Sequence, residues 1–189
     1  MTAAKPRIPY TYDDYCTLPE DMSRRYELLH GDLHMVPAHT IRAQRTLRKL
    51  LGMLDRYVTA TGLGEVFISP VDVILGQGDA REVAQPDIVF ISQARRQIVK
   101  LHGIEGPPDL VVEILSPGTE ERDRGYKLKM YARYGVREYW IVDPAAQTVQ
   151  VYLSRPGEYA AAVRYVAGDN LTSALFPGLS ISLKEIFAI

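Results

Sequence analysis

The chain has 189 residues, 47% of them hydrophobic, enough to build the core of one domain spanning residues 1–189. Its 22 basic and 23 acidic residues leave a net charge of −1, so no strong overall field draws it to nucleic acid or to an anionic membrane, and any nucleic-acid contact has to be local. The single cysteine, Cys16, excludes an internal disulfide framework and a cysteine-based zinc site.

The opening stretch MTAAKPRIPYTYDDY lacks the apolar run of a signal peptide. No later stretch approaches the roughly 18 apolar residues of a spanning helix, so a soluble, cytoplasmic protein is expected. Tyr12 to Leu18 reads as a short helix ahead of Pro19, and Tyr26 to Val36 as two short strands around the turn His30-Gly31-Asp32. From Thr40 to Ala60 the residues Ile41, Leu47, Leu50, Leu51, Leu54 and Val58 recur at helical spacing, which predicts an amphipathic helix ended near Gly62. Val66 to Leu75 reads as one strand, in an edge or bulged position because of Pro70, and Gly76 to Asp79 as a turn. Ile88 to Ile91 and Leu110 to Leu115 are short apolar runs, the pattern of central strands covered on both faces. Thr119 is placed to cap a helix with Glu120 and Glu121 in its first turn, stopping near Gly135. Glu138 to Val142, Thr148 to Leu153 and Glu158 to Val166 follow as strands, the first two joined at Asp143-Pro144, before a tail from Leu179 to Phe187. The order is mixed α/β, without repeat, low-complexity segment or dividing linker.

Two acids interrupt the most apolar segments. Asp87 opens the run IVFI, and Glu113 lies inside DLVVEIL. An unpaired buried carboxylate is costly, so such groups are paired or ligate metals. Alternation along the strand puts Asp109, Val111, Glu113 and Leu115 on one face and Leu110, Val112 and Ile114 on the other. If the two strands are neighbours, Asp87 and Glu113 converge where hard oxygen ligands suit Mg2+ or Mn2+. An ion pair with an arginine or lysine is the alternative. Phosphodiester hydrolysis also needs a cation near the phosphate or the water. In DRGYKLKMYARYG, with Leu128, Tyr131, Ala132 and Gly135 inward, Lys127 lies about 40° from Tyr131 at 100° per residue and can reach the sheet, whereas Lys129 faces solvent beside Arg122 and Arg133. A snorkelling surface lysine is the alternative for Lys127.

PPDLVVEILSPGTEERDRGYKLKMYARYGVREYWIVDP, with YELLHGDLHMVP before it, QPDIVFI between and TSALFPGLSISLKEIF at the end, resembles the Uma-two family, which is placed among the endonucleases of the PD-(D/E)XK, restriction-endonuclease-like superfamily. The resemblance covers nearly the whole chain. It implies a mixed central β-sheet flanked by helices, with an N-terminal β-hairpin, a divalent metal at the sheet, and hydrolysis of a nucleic-acid phosphodiester by activated water. Residue by residue, it implies Asp87 and Glu113 as metal-binding carboxylates and Lys127 as the catalytic lysine. The superfamily's usual lysine, two residues after the glutamate, is Leu115 here. Glu27, in YELLHG, matches an acid that completes the site; pairing with Arg24 or Arg25 is its alternative. Asp109 stands in reserve, with a turn or capping role preferred.

The histidines His30, His34, His39 and His102 are scattered and suggest no zinc site, and neither a nucleophile elbow nor a phosphate loop is present. Arg42, Arg45, Arg48 and Lys49 read as a solvated helix face, with phosphate-backbone binding the alternative, and Tyr139 and Trp140 as packing residues. Two functions stand. One is a magnesium-dependent endonuclease acting on nucleic acid, DNA being preferred, with a homodimer allowed. The other is a non-catalytic nucleic-acid or protein-binding module that retains the fold.

Overall fold

The computed structural model describes residues 8–19 and 25–188. Helix α1 (Tyr12–Cys16) starts at Thr11, whose hydroxyl accepts the Asp14 amide while Asp14 returns to the Thr11 amide, a capping box. Strands β1 (Arg25–Leu29) and β2 (Asp32–Val36) form the expected hairpin. Its turn residues His30 and Gly31 both have positive φ, 51° and 73°, the conformation that matches strand twist in a two-residue turn. Gly31 is required twice over, because a Cβ there would stand 2.5 Å from Pro9 Cβ.

Helix α2 (Ile41–Thr61) begins at Thr40, whose hydroxyl accepts the Ala43 amide at 3.2 Å, and ends at Gly62 in the left-handed region. Its inward stripe buries Leu47, Leu50, Leu54 and Val58, each burial worth about 1.5–3 kcal/mol relative to exposure. The segment expected as one strand from Val66 to Leu75 is two. β3 (Gly64–Ile68) and β4 (Val73–Leu75) belong to different sheets, and the chain changes sheet at Ser69-Pro70, where proline offers no amide to a ladder. After the turn come β5 (Glu82–Ala84) and β6 (Ile88–Ser92), then β7 (Val99–Lys100), β8 (Gly103–Glu105) and β9 (Leu110–Ile114). The two- and three-residue strands β5, β7 and β8 are too short to show a period in the sequence.

The crossover after β9 is helical but not uniform: α3 (Glu120–Arg122), a π-helical turn (Asp123–Lys127) and α4 (Leu128–Tyr134), closed by Gly135 at φ 85°. Thr119 occupies the position before this helix without capping it; its backbone is already helical and its hydroxyl pairs with Ser116. β10 (Glu138–Asp143) and β11 (Thr148–Arg155) follow. The expected strand from Glu158 to Val166 is two pieces, β12 (Glu158–Tyr159) and β13 (Val163–Val166), both paired to β11. A small pair, β14 (Asn170–Leu171) and β15 (Ile181–Ser182), leads into α5 (Leu183–Phe187).

One sheet has the order β12-β11-β10-β9-β6-β3, the other β2-β1-β5-β4-β8-β7. In the first, β9 and β10 run parallel, as a helical crossover allows, while β6 is antiparallel to β9. Leu110, Val112, Ile114, Trp140 and Val142 face α2 and the C-terminal segment; Val111, Leu115, Tyr139 and Ile141 face α4 and the second sheet. Tyr139 and Trp140 are core residues, as expected. Among the described residues no helix is long and apolar enough to cross a membrane.

Candidate active site

The chain leaves β5 of one sheet and enters β6 of the other through Gln85-Pro86-Asp87. Ile88 pairs with Val112 in an antiparallel register, so the residue before it, Asp87, lies across from Glu113. Asp87 is fixed at both oxygens: Oδ2 accepts the Ile114 amide at 2.7 Å, and Oδ1 lies 2.6 Å from His39 Nε2. Glu113 Oε1 accepts the Tyr131 hydroxyl at 3.0 Å and Lys127 Nζ at 3.0 Å.

Lys127 binds the elements together. Its ammonium lies 2.8 Å from Glu27 Oε1, 3.0 Å from Glu113 Oε1 and 3.3 Å from Asp123 Oδ1, and its side chain is only 4% exposed. Glu27, on β1, also accepts the Gln85 amide at 2.9 Å, and Arg122 Nη1 stands 3.3 Å from its other oxygen. The four residues singled out from the sequence, Glu27, Asp87, Glu113 and Lys127, are therefore all buried and gathered where the two sheets meet the crossover helix. Lys129 faces solvent. The inward face of the helix differs from the 100° wheel: Asp123, Lys127, Met130, Tyr131 and Ala132 are buried, while Leu128 is half-buried and Gly135 exposed. The cause is the π turn, which carries more residues per turn than an α-helix and brings Lys127 fully inward.

Three carboxylates surround one ammonium, and the titration of each group follows. Burial opposes charge on Lys127, but Glu113, Glu27 and Asp123 outweigh it and hold the pKa well above the ordinary lysine value. Burial pushes the Glu113 carboxyl well above the usual range against Lys127, with Asp123, Asp87 and Glu27 reinforcing the shift. Burial also raises Asp123. For Glu27, burial is overcome by Lys127, the Gln85 amide and Arg122, and its pKa falls.

Carboxylate oxygens on neighbouring strands suit a hard divalent cation. Among the described residues no group of three or more histidine, cysteine, aspartate or glutamate side chains is placed to hold a metal ion. Asp87 and Glu113 therefore offer a partial set of oxygen ligands, which a divalent ion would complete with water or substrate oxygens.

Three neighbours of this site were not foreseen. His39 is not a surface histidine: its ring packs against Asp87 with 10% exposure, and its buried Nδ1 has no hydrogen-bond partner among the described residues. Nothing in AHTI distinguishes it from a residue preceding a helix cap. Asp123 does carry a signal, an acid four residues before Lys127. Arg122, assigned to the solvent side, turns inward onto Glu27. The local alternative for Glu27 fails for Arg25, which donates to Ser69; Arg24 lies outside the described residues.

Asp109 is not in this cluster. It sits at the opposite end of β9, accepting the Ser92 amide at 2.8 Å and facing Arg137 at 3.2 Å and Arg95 at 3.5 Å. Burial would raise its pKa, but the Ser92 amide and the two arginines outweigh burial and lower it. Asp109 therefore stabilises the fold fully above the unfolded carboxylate pKa of about 4, and the contribution is lost as pH falls through its depressed folded value. Asp109→Asn is expected to cost about 1–3 kcal/mol at pH 7 in urea unfolding, and less at pH 3.

The sequence model of the Uma2 family, described as putative restriction endonuclease, matches residues 12–184. The chain belongs to the Uma2 family. An uncharacterized protein of Synechocystis sp. is 24% identical to this Uma2 chain over 195 residues, covering 99% of the chain and 97% of the relative. A crystal structure from Anabaena variabilis, described as a putative nuclease belonging to DUF820, matches with a TM-score of 0.77 at 22% identity, covering 95% of the Uma2 chain and 98% of its own. The fold of the Uma2 chain is thus the restriction-endonuclease-like mixed α/β fold, and family and fold both point to a nuclease.

Proposed function

We propose that the protein is a metal-dependent endonuclease that hydrolyses phosphodiester bonds of DNA. The observation that carries this reading is the convergence of Glu113 and Glu27 on the buried ammonium of Lys127, with Asp87 across from Glu113 on the neighbouring strand, at the meeting of two sheets. Asp87 and Glu113 would hold Mg2+ or Mn2+. A bound ion of this kind polarises a phosphate oxygen and lowers the pKa of the attacking water. The chain's own groups do the rest. Lys127 fixes the positions of Glu113 and Glu27 and supplies positive charge for the phosphate and for orienting water. Glu27 holds that ammonium and Arg122 together. His39 orients Asp87, as outer hydrogen bonds orient metal-ligating carboxylates.

One observation favours a second reading, a non-catalytic module that keeps the fold: Lys127 is engaged by three carboxylates, which a purely structural ion cluster would also show. Incubation of supercoiled DNA with the protein separates the two. Cleavage in Mg2+ or Mn2+ that stops with a chelator is expected; no cleavage together with no Mn2+ binding would favour the module.

His39→Ala is expected to weaken Mn2+ binding about 10–100-fold, the usual effect of losing a group that orients a ligand. Lys129→Ala, on the solvent side of the same helix, is expected to alter neither binding nor cleavage. Calorimetric titration and the same cleavage assay check both variants, and equal losses in the two would contradict the assignment of sides.

A further inference from the structure

Next to the acidic cluster lies a cavity of about 440 Å3 that the chemistry above does not use. Its size falls within the roughly 300–1,000 Å3 of small-molecule sites. We propose that it receives one unpaired nucleobase of the substrate strand, guanine best, so that the enzyme prefers nucleic acid with an extruded or single-stranded nucleotide. This deepens the nuclease reading and rests on it.

Gln85 joins the cavity to the cluster. Its amide donates to Glu27, and its side chain lines the cavity, where Nε2 donates to Asp72 Oδ1 at 2.8 Å. Gln85 Oε1 is buried with no hydrogen-bond partner among the described residues, which native proteins rarely leave so. Asp72 is held from behind by the Tyr15 hydroxyl, at 3.0 and 3.1 Å from its two oxygens. A carboxylate has about four lone-pair directions, so Asp72 keeps capacity toward the cavity. Asp72 is therefore the acceptor that meets N–H donors entering the cavity, with Gln85 unpaired at Oε1 beneath it. Among the bases, guanine presents N1–H and N2–H side by side and answers both oxygens of a carboxylate.

The other walls suit a flat ring. Phe67 and Val99 supply aromatic and aliphatic surface for stacking. At the rim, Lys100 pairs with Gly103 so that Leu101 and His102 form a two-residue hairpin tip, with Leu101 90% exposed. An apolar side chain at a protruding tip, beside a lysine, has the character of the wedges that part base steps while a cation holds the phosphate.

Fluorescence anisotropy in a chelating buffer, which prevents cleavage, tests this with three labelled DNA duplexes of equal length: fully paired, with one unpaired guanine, and with one unpaired thymine. The guanine-bulged duplex is expected to bind about tenfold more tightly than the paired one, a single good base contact, and the thymine bulge to fall between. Asp72→Asn and Leu101→Asp should each reduce the guanine advantage to twofold or less without altering affinity for the paired duplex. Leu101 is at the surface, so its variant decides the matter if Asp72→Asn unfolds by circular dichroism. Equal binding of all three duplexes by the wild type, or an advantage that survives Leu101→Asp, overturns the base pocket and leaves the nuclease reading standing. If no DNA binds, and none binds when Mn2+ is restored, both fall together.

Discussion

Replacing Glu113 with glutamine is expected to abolish Mn2+ binding in calorimetric titration and to lower cleavage by about a hundred- to a thousandfold, with the fold intact. The isostere keeps an oxygen for the Tyr131 hydroxyl and for Lys127. What it removes is the charge that a hard cation requires. Stability should not suffer, because Glu113 is pushed upward by burial and by Asp123, Asp87 and Glu27, and losing it relieves like-charge repulsion in the core. Wild-type Mn2+ binding and cleavage by Glu113→Gln would remove this residue from the proposed site.

Lys127→Met is expected to have the largest effect on stability, lowering the unfolding free energy by about 3–5 kcal/mol in urea, as happens when one partner of a buried ion cluster is removed. Methionine fills the volume of the stem but leaves Glu27, Glu113 and Asp123 without the ammonium that all three face. Adding Glu113→Gln to Lys127→Met should recover part of the loss, since the two groups touch and their effects cannot be additive. A single variant as stable as the wild type would mean that the cluster is already neutralised without the lysine. Reading the sequence, we expected of Lys127 a role in rate; the structure adds a role in holding three elements together.

Asp87 and Glu113 were legible because an acid inside an apolar strand must have a reason to be there. Their facing each other was conditional on β6 and β9 being neighbours, a long-range pairing that alternation cannot supply. Lys127 was legible through helical phase, yet the 100° wheel placed it at a border and misassigned Gly135 and Arg122, because a π turn has no signature in DRGYK. Glu27 was legible by family pattern, but its alternative partners were sought among sequence neighbours, whereas its arginine lies 95 residues away. His39 was missed because it reaches the site through packing of the segment before α2, which no periodicity encodes. The hairpin turn, α2 and its glycine stop were plain, since each rests on local chemistry.

The π turn at Asp123–Lys127 also decides how this stretch responds to a change of chain length. Because a π turn takes about one residue more than an α turn over the same rotation, excising Gly125 would restore ordinary α-helical geometry while the residues on either side kept nearly their present phase. Excising Lys129 instead, whose side chain faces solvent, would leave α4 held by Met130 and Tyr131 in the core and rotate everything upstream by about 100°. Arg122 would swing off Glu27 and Lys127 off Glu113, although no side chain of the site had been altered. Here the spacing between residues, as much as their identity, is the inherited trait.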